Sequence, residues 1–98
     1  MRRVFTKGRK VSCKGAALFT LANGLALHRV AFCFARKFGP AVRRNRARRL
    51  GREAYRALRP RLTGARRCDI VLLLYPGTDT LADRAAQLEA LLGRAGLL

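Results

Sequence analysis

Nine arginines and one acid, Glu53, fall between Arg43 and Arg61, and guanidinium groups at that density suit one task above others, the gripping of phosphate. Arginine's planar fork binds a phosphate through two parallel hydrogen bonds and stacks on bases, which a lysine ammonium does not. So many like charges oppose folding unless a polyanion neutralises them. The block is also ordered. Counted at 100° per residue from Val42, Arg44, Asn45, Arg48, Arg49, Arg52, Arg56 and Arg59 fall in an arc of roughly 140°. Ala47, Leu50, Ala54, Ala57 and Leu58 gather on the other side. The pattern predicts an amphipathic helix with one cationic wall and one packing side. Each phosphate neutralised by that wall releases counterions, so binding to nucleic acid should depend steeply on salt.

Other chemistry finds little support. His28 is the only histidine, pairs with no Ser or Cys in a recognisable pattern, and reads as a core or surface residue. Glu53, among arginines, reads as an ion-pair partner. Asp69, Asp79 and Asp83 are spaced as strand-edge and capping residues, unlike a two-metal cluster. Cys13, Cys33 and Cys68 show neither a CxxC pair nor Cys/His ligand spacing, so they read as reduced thiols with no disulfide partner. No catalytic residue is expected in this chain; if it serves an enzyme, something else carries the reaction. Phe32 and Phe34, alternating with Val30, read as core. Phe5 and Phe19, surrounded by basic residues, are balanced between core packing and stacking on unpaired bases.

The elements that must hold this wall can be read from breakers and periodicity. Ninety-eight residues, half of them apolar, make a single domain over 1–98 able to build a core. Residues 1–67 hold 20 Lys or Arg against one acid, whereas 68–98 hold two arginines against four acids. A cationic body with a near-neutral closing element follows. No run reaches the ~20 apolar residues of a membrane span, and the start lacks the apolar centre of a signal peptide, which together predict a cytoplasmic protein. The basic start ending at Gly8 predicts a short helical turn or arm. Residues 16–21 and 28–35 read as strands around an Ala22-Asn23-Gly24 turn. Gly39-Pro40 opens the arginine helix and Arg59-Pro60 closes it. Residues 69–75 form a continuous apolar run, predicting a central strand covered on both faces. Leu81, Ala85, Leu88 and Leu92 make a final helical stripe opened by Thr80 and Asp83. The order is arm, β, β, α, β, α: an α+β fold with helices packed on a small sheet.

The run from Arg44 to Arg56, RNRARRLGREAYR, resembles the RNRxKRxxREAFR signature of the bacterial ribonuclease P protein subunit. Arg29-Val30, Ala35-Arg36-Lys37-Phe38-Gly39 and Ala41-Val42 resemble that family's RVGxxVSKKxGxAV. Val4-Phe5 with Gly8, Asp69-Ile70-Val71 and the closing leucine-rich helix agree in kind, so the likeness covers about residues 4–92. The resemblance implies a small mixed sheet in αβββαβα order, with a left-handed βαβ crossover and a shortened first helix, and so one short strand near 9–13 beyond those read above. It implies a protein that binds a catalytic RNA subunit and the 5′ leader of precursor tRNA to promote endonucleolytic maturation, with Mg²⁺ held mainly by the RNA. Carried onto this sequence, Arg36, Lys37, Arg44, Asn45, Arg46, Arg48, Arg49, Arg52 and Arg56 would bind RNA, and Phe5, Phe19 and Arg29 would line a leader cleft. One further family aromatic would fall at Met1. Ala31 and Ala35 replace a family glycine and serine. Gly51 departs by sitting mid-helix, at a cost of about 1 kcal/mol relative to alanine, unless something packs closely there.

Two other readings share the charge. A ribosomal or RNA-chaperone protein needs no Arg-Asn-Arg constellation and no leader cleft. A membrane-surface or DNA-binding helix needs bulky apolar residues or a dimer interface opposite the arginines, where this chain has Leu50 and Leu58 among alanines.

Overall fold

The computed structural model describes residues 2–62, 67–77 and 80–98; the Met1 and Asp79 expectations lie outside them. The elements are α1 (Arg2–Lys7), β1 (Arg9–Cys13), β2 (Ala16–Ala22), β3 (Arg29–Phe34), α2 (Ala41–Leu58), β4 (Cys68–Leu74) and α3 (Leu81–Arg94), with a 3-10 turn at Arg59–Arg61. This is the αβββαβα order. The sheet runs β1-β2-β4-β3, antiparallel at β1/β2 and β2/β4 and parallel at β3/β4, the last pair bridged by α2. The apolar run of β4 lies in the sheet interior, as its two-sided hydrophobicity requires.

β1 was not legible from residue pattern alone. Its five residues, RKVSC, form an edge strand with only Val11 and Cys13 packed against the core. Two of five positions cannot make a convincing alternation.

Strand side chains alternate between faces, and the two faces of this sheet differ. On one, Ala16, Leu18, Ile70, Leu72 and Leu74 meet Ala47, Ala54 and Leu58 of α2 and Leu88, Leu91 and Leu92 of α3. Val30, Phe32 and Phe34 extend this face, as their spacing predicts. On the other, Ala17 and Val71 are fully buried and α1 seats Val4 at 1% exposure. Gly8 makes that seat possible: a Cβ there would run into the carbonyl oxygens of Val4 and Thr20.

The packing side of α2 matches its angular pattern, with Ala47, Leu50, Gly51, Ala54 and Leu58 buried. Ala57, at the margin of the apolar arc, is exposed instead. Gly51 accommodates Phe32: a Cβ would stand 2.8 Å from its Cε1. Gly51→Ala should therefore lose more through overpacking, about 1–3 kcal/mol, than the ~1 kcal/mol it gains in helix propensity. Urea unfolding should show net destabilisation, and in a Phe32→Leu background the same substitution should become stabilising.

α3 begins as read, with the Thr80 hydroxyl accepting from the Asp83 amide at 3.2 Å. Its buried stripe is Arg84, Leu88, Leu91 and Leu92. Leu81 is exposed and Ala85 half-buried, which corrects the expected stripe at its first turn. Arg84, only 2% exposed, donates to the carbonyls of Gly15 at 3.3 Å and Tyr75 at 3.1 Å. Gln87 and Arg94 donate to the Lys14 and Ser12 carbonyls. Three α3 side chains thus latch the β1–β2 hairpin to the fold.

Candidate nucleic-acid interface

Arg44, Asn45, Arg46, Arg49, Arg52 and Arg56 are all exposed on α2. The structure brings Arg44, Asn45, Arg49, Arg52 and Arg56 onto the side away from the buried Ala47, Leu50 and Ala54, so the wall exists as one surface, while Arg46 stands off it beside Leu50 in angle. Arg44, Arg48, Arg52 and Arg56 stand four residues apart in a single row of like charge, an arrangement that costs a few tenths of a kcal/mol per pair in a bare helix. The helix's one acid does not relieve it. Glu53 is exposed and, among the described residues, forms no ion pair, contrary to the expectation for it. The Arg61 guanidinium, beyond the helix end, is instead held by Glu89 at 2.8 Å.

Arg48 differs from its neighbours. It is half-buried, its guanidinium 5.1 Å from the Phe34 ring centroid, and it donates to Asn45 Oδ1 at 3.2 Å. Phe34 in turn meets Phe38 edge-on at 5.0 Å, and Phe38 is buried at 7% exposure. This stack fastens the 35–39 turn to the wall. Within the turn Lys37 adopts φ 64°, a conformation uncommon for a residue with a side chain, and Arg36 and Lys37 both point outward, exposed beside the N-terminus of α2. The support given by Phe34 and Phe38 was not among the expectations. Its signal was the i, i+4 spacing of two phenylalanines before the arginines.

The aromatics Phe5 and Phe19 come together on the opposite side of the sheet. Their ring centroids lie 4.8 Å apart, edge to face, and Lys10 Nζ stands 5.6 Å from the Phe19 centroid. The register aligns Lys10, Phe19, Val71 and Ala31 in one row across the four strands. Arg29 shares this face, one row along and two strands away, about 12 Å from Phe19 by strand geometry. Two of its donors are committed to Asp69, both at 2.7 Å. Asn23 also donates to Asp69, at 3.1 Å, and hydrogen bonding from Arg29 holds that carboxyl below its ordinary pKa. Arg29 is thus a fixed, partly neutralised rim, while the aromatic pair with Lys10 is the part able to stack on and attract an unpaired strand.

The family model named Ribonuclease P matches residues 1–96. The chain belongs to the ribonuclease P protein family. The chain is 39% identical over 88 residues to the ribonuclease P protein component of Natranaerobius thermophilus, covering 90% of this chain and 75% of that protein. In fold it is similar to the Staphylococcus aureus RNase P protein, with TM-score 0.84 and 23% identity over 98% of this chain and 88% of that one. It is likewise similar to the Thermotoga maritima RNase P protein, with TM-score 0.81 and 25% identity over 93% and 86% of the two chains. As a ribonuclease P protein it is a subunit of the ribonuclease that matures tRNA 5′ ends, and catalysis by an RNA partner is consistent with its residues.

Among the described residues no three His, Cys, Asp or Glu side chains converge where a metal ion could sit, and Asp69 and Glu89 are engaged by arginines. This donor set among the described residues does not fit a resident Mg²⁺ site. No described helix is long and apolar enough to cross a membrane. His28 is half-buried, and its Nδ1 accepts the Cys68 amide at 3.0 Å. Burial first, then the charge of Arg67, lowers its pKa. A base with a depressed folded pKa contributes full stability above its unfolded pKa near 6.5 and loses it as pH falls toward the folded value. Melting temperature should therefore decline on acidification below about pH 6.5, and His28→Gln should remove that part of the decline.

Proposed function

We propose that this chain acts as one RNA-binding domain over residues 1–98 that grips the catalytic RNA with one side and the precursor tRNA leader with the other. The Arg44–Arg56 wall, with Arg36 and Lys37 at its head, takes the catalytic RNA. Phe5, Phe19 and the strand around Arg29 take the 5′ leader. The observation that carries the reading is the placement of a cationic helix wall and an aromatic-cationic patch on opposite faces of one thin sheet. Such a body holds two polyanions close together while screening their repulsion.

The mechanism is positional. Phosphate contacts fix register, and holding the leader beside the catalytic RNA converts a bimolecular encounter into a bound geometry. Mg²⁺, held mainly by the RNA, would supply activation of the attacking water. The protein's own groups bind, orient and neutralise. This work is placed in the cytoplasm, with the catalytic RNA and precursor tRNA as partners.

The test separates leader from mature tRNA. In the complex with catalytic RNA, Phe19→Ala should weaken precursor tRNA binding about tenfold, the loss of one stacked base, and leave mature tRNA unchanged. Phe19→Leu, which preserves burial, should show the same bias and guards against a folding defect. Equal losses on both substrates would favour a general RNA-chaperone role.

A further inference from the structure

A cavity of about 420 Å³ opens where the end of α2 meets the start of β3, lined in part by Leu27, His28, Tyr55, Arg59, Leu62 and Arg67. Its volume suits a small organic ligand, and no activity described above uses it. The lining joins two aromatic side chains, aliphatic walls and two guanidinium groups, with no carboxylate. A bare anion has no use for Leu27 and Leu62, and a purely apolar ligand has none for two arginines. A flat base carrying a phosphate uses both. His28 adds a hydrogen bond of fixed sense: with Nδ1 accepting the Cys68 amide, the neutral ring keeps its proton on Nε2 as a donor.

Location supplies the source of such a ligand. Arg59 lies in the same angular arc as Arg52 and Arg56, and Tyr55 precedes Arg56, so the cavity closes the C-terminal end of the cationic wall. An RNA strand following the wall arrives at its mouth. We propose that this cavity receives one unpaired nucleotide of the RNA bound along α2, its base against Tyr55 and His28 and its phosphate on Arg59 and Arg67. The inference rests on the reading of α2 as the RNA-facing wall.

The test has two arms. In the first, the full chain is titrated with AMP and UMP to about 10 mM, in excess of the ~1 mM Kd that a lone nucleotide-sized contact supports, and followed by NMR. Resonances of Leu27, His28, Tyr55 and Leu62 should shift, whatever happens at the Phe5–Phe19 patch, and ribose 5-phosphate should leave them in place. No cavity shift, or equal shifts with ribose 5-phosphate, overturns the proposal. The second arm uses Leu27→Asp, at a side chain 59% exposed whose replacement should not disturb folding. It should weaken catalytic RNA binding about tenfold, as losing one stacked base does, whereas Leu25→Asp, of equal charge outside the lining, should not. Nucleotide shifts with unchanged RNA affinity in Leu27→Asp would assign the cavity to free nucleotides and sink the RNA assignment. The first arm contains no RNA partner, so a failure of the wall reading, seen as unaltered RNA binding in Arg52→Ala, would be distinguishable from an empty cavity.

Discussion

Replacing Arg44, Arg49, Arg52 and Arg56 together by alanine is expected to weaken binding to the catalytic RNA roughly 100-fold near 0.15 M salt and to reduce the salt slope by about 3 units. Each phosphate contact contributes about 0.7–0.9 to that slope, so four contacts account for the drop. The stability forecast runs the other way. All four side chains are exposed, alanine is the better helix former, and removing Arg44, Arg52 and Arg56 dissolves most of an i, i+4 row of like charge. The variant should melt at or above the wild-type temperature. Lost affinity with an unchanged salt slope would mean that the wall acts by shape and not by charge. Filter binding at several salt concentrations, with a thermal melt beside it, reads both effects.

Arg84→Ala is expected to do the reverse, costing about 3–5 kcal/mol of stability while leaving the RNA salt slope of the folded fraction intact. Arg84 is buried, and its donors satisfy the Gly15 and Tyr75 carbonyls. Without Arg84 the Tyr75 carbonyl loses its donor, at roughly 1–3 kcal/mol, the Gly15 carbonyl keeps only the Tyr75 amide at 3.0 Å, and the vacated volume adds a cavity penalty. A small domain holds only about 5–15 kcal/mol in total. Arg84→Lys should fall between, because a single ammonium lacks the fork that spans the hairpin turn and the end of β4. Urea unfolding measures the loss. A cost under about 1 kcal/mol would show that water or a neighbour replaces the donor readily.

These two forecasts concern one residue type with opposite duties, and that contrast marks where sequence reading succeeded. The wall was legible because helix geometry turns a string of arginines into an angle, and the apolar residues opposite fixed its orientation. β4 was legible because only an interior strand is apolar on both sides. β1 was not, since an edge strand with two inward residues carries too little pattern. Arg84 escaped because arginine is rarely buried, although its i+4 and i+7 relation to Leu88 and Leu91 placed it on the inward stripe. The meeting of Phe5 with Phe19, the stack of Arg48 on Phe34, and the convergence of His28, Tyr55, Arg59 and Arg67 all depend on which distant segments adjoin. Local periodicity does not encode that. Gly51 lies between these cases: its mid-helix position signalled close approach, and only the coordinates supplied Phe32 as the neighbour.

Cleavage of precursor tRNA by the catalytic RNA at limiting Mg²⁺, compared without protein, with wild type and with the four-alanine wall variant, puts the whole scheme to one experiment. Wild type should stimulate cleavage strongly, the variant should restore little of that gain, and added Mg²⁺ should progressively close the gap. Full stimulation by the variant, or none by wild type, would contradict the view that this protein works by neutralising RNA charge beside a catalytic nucleic acid.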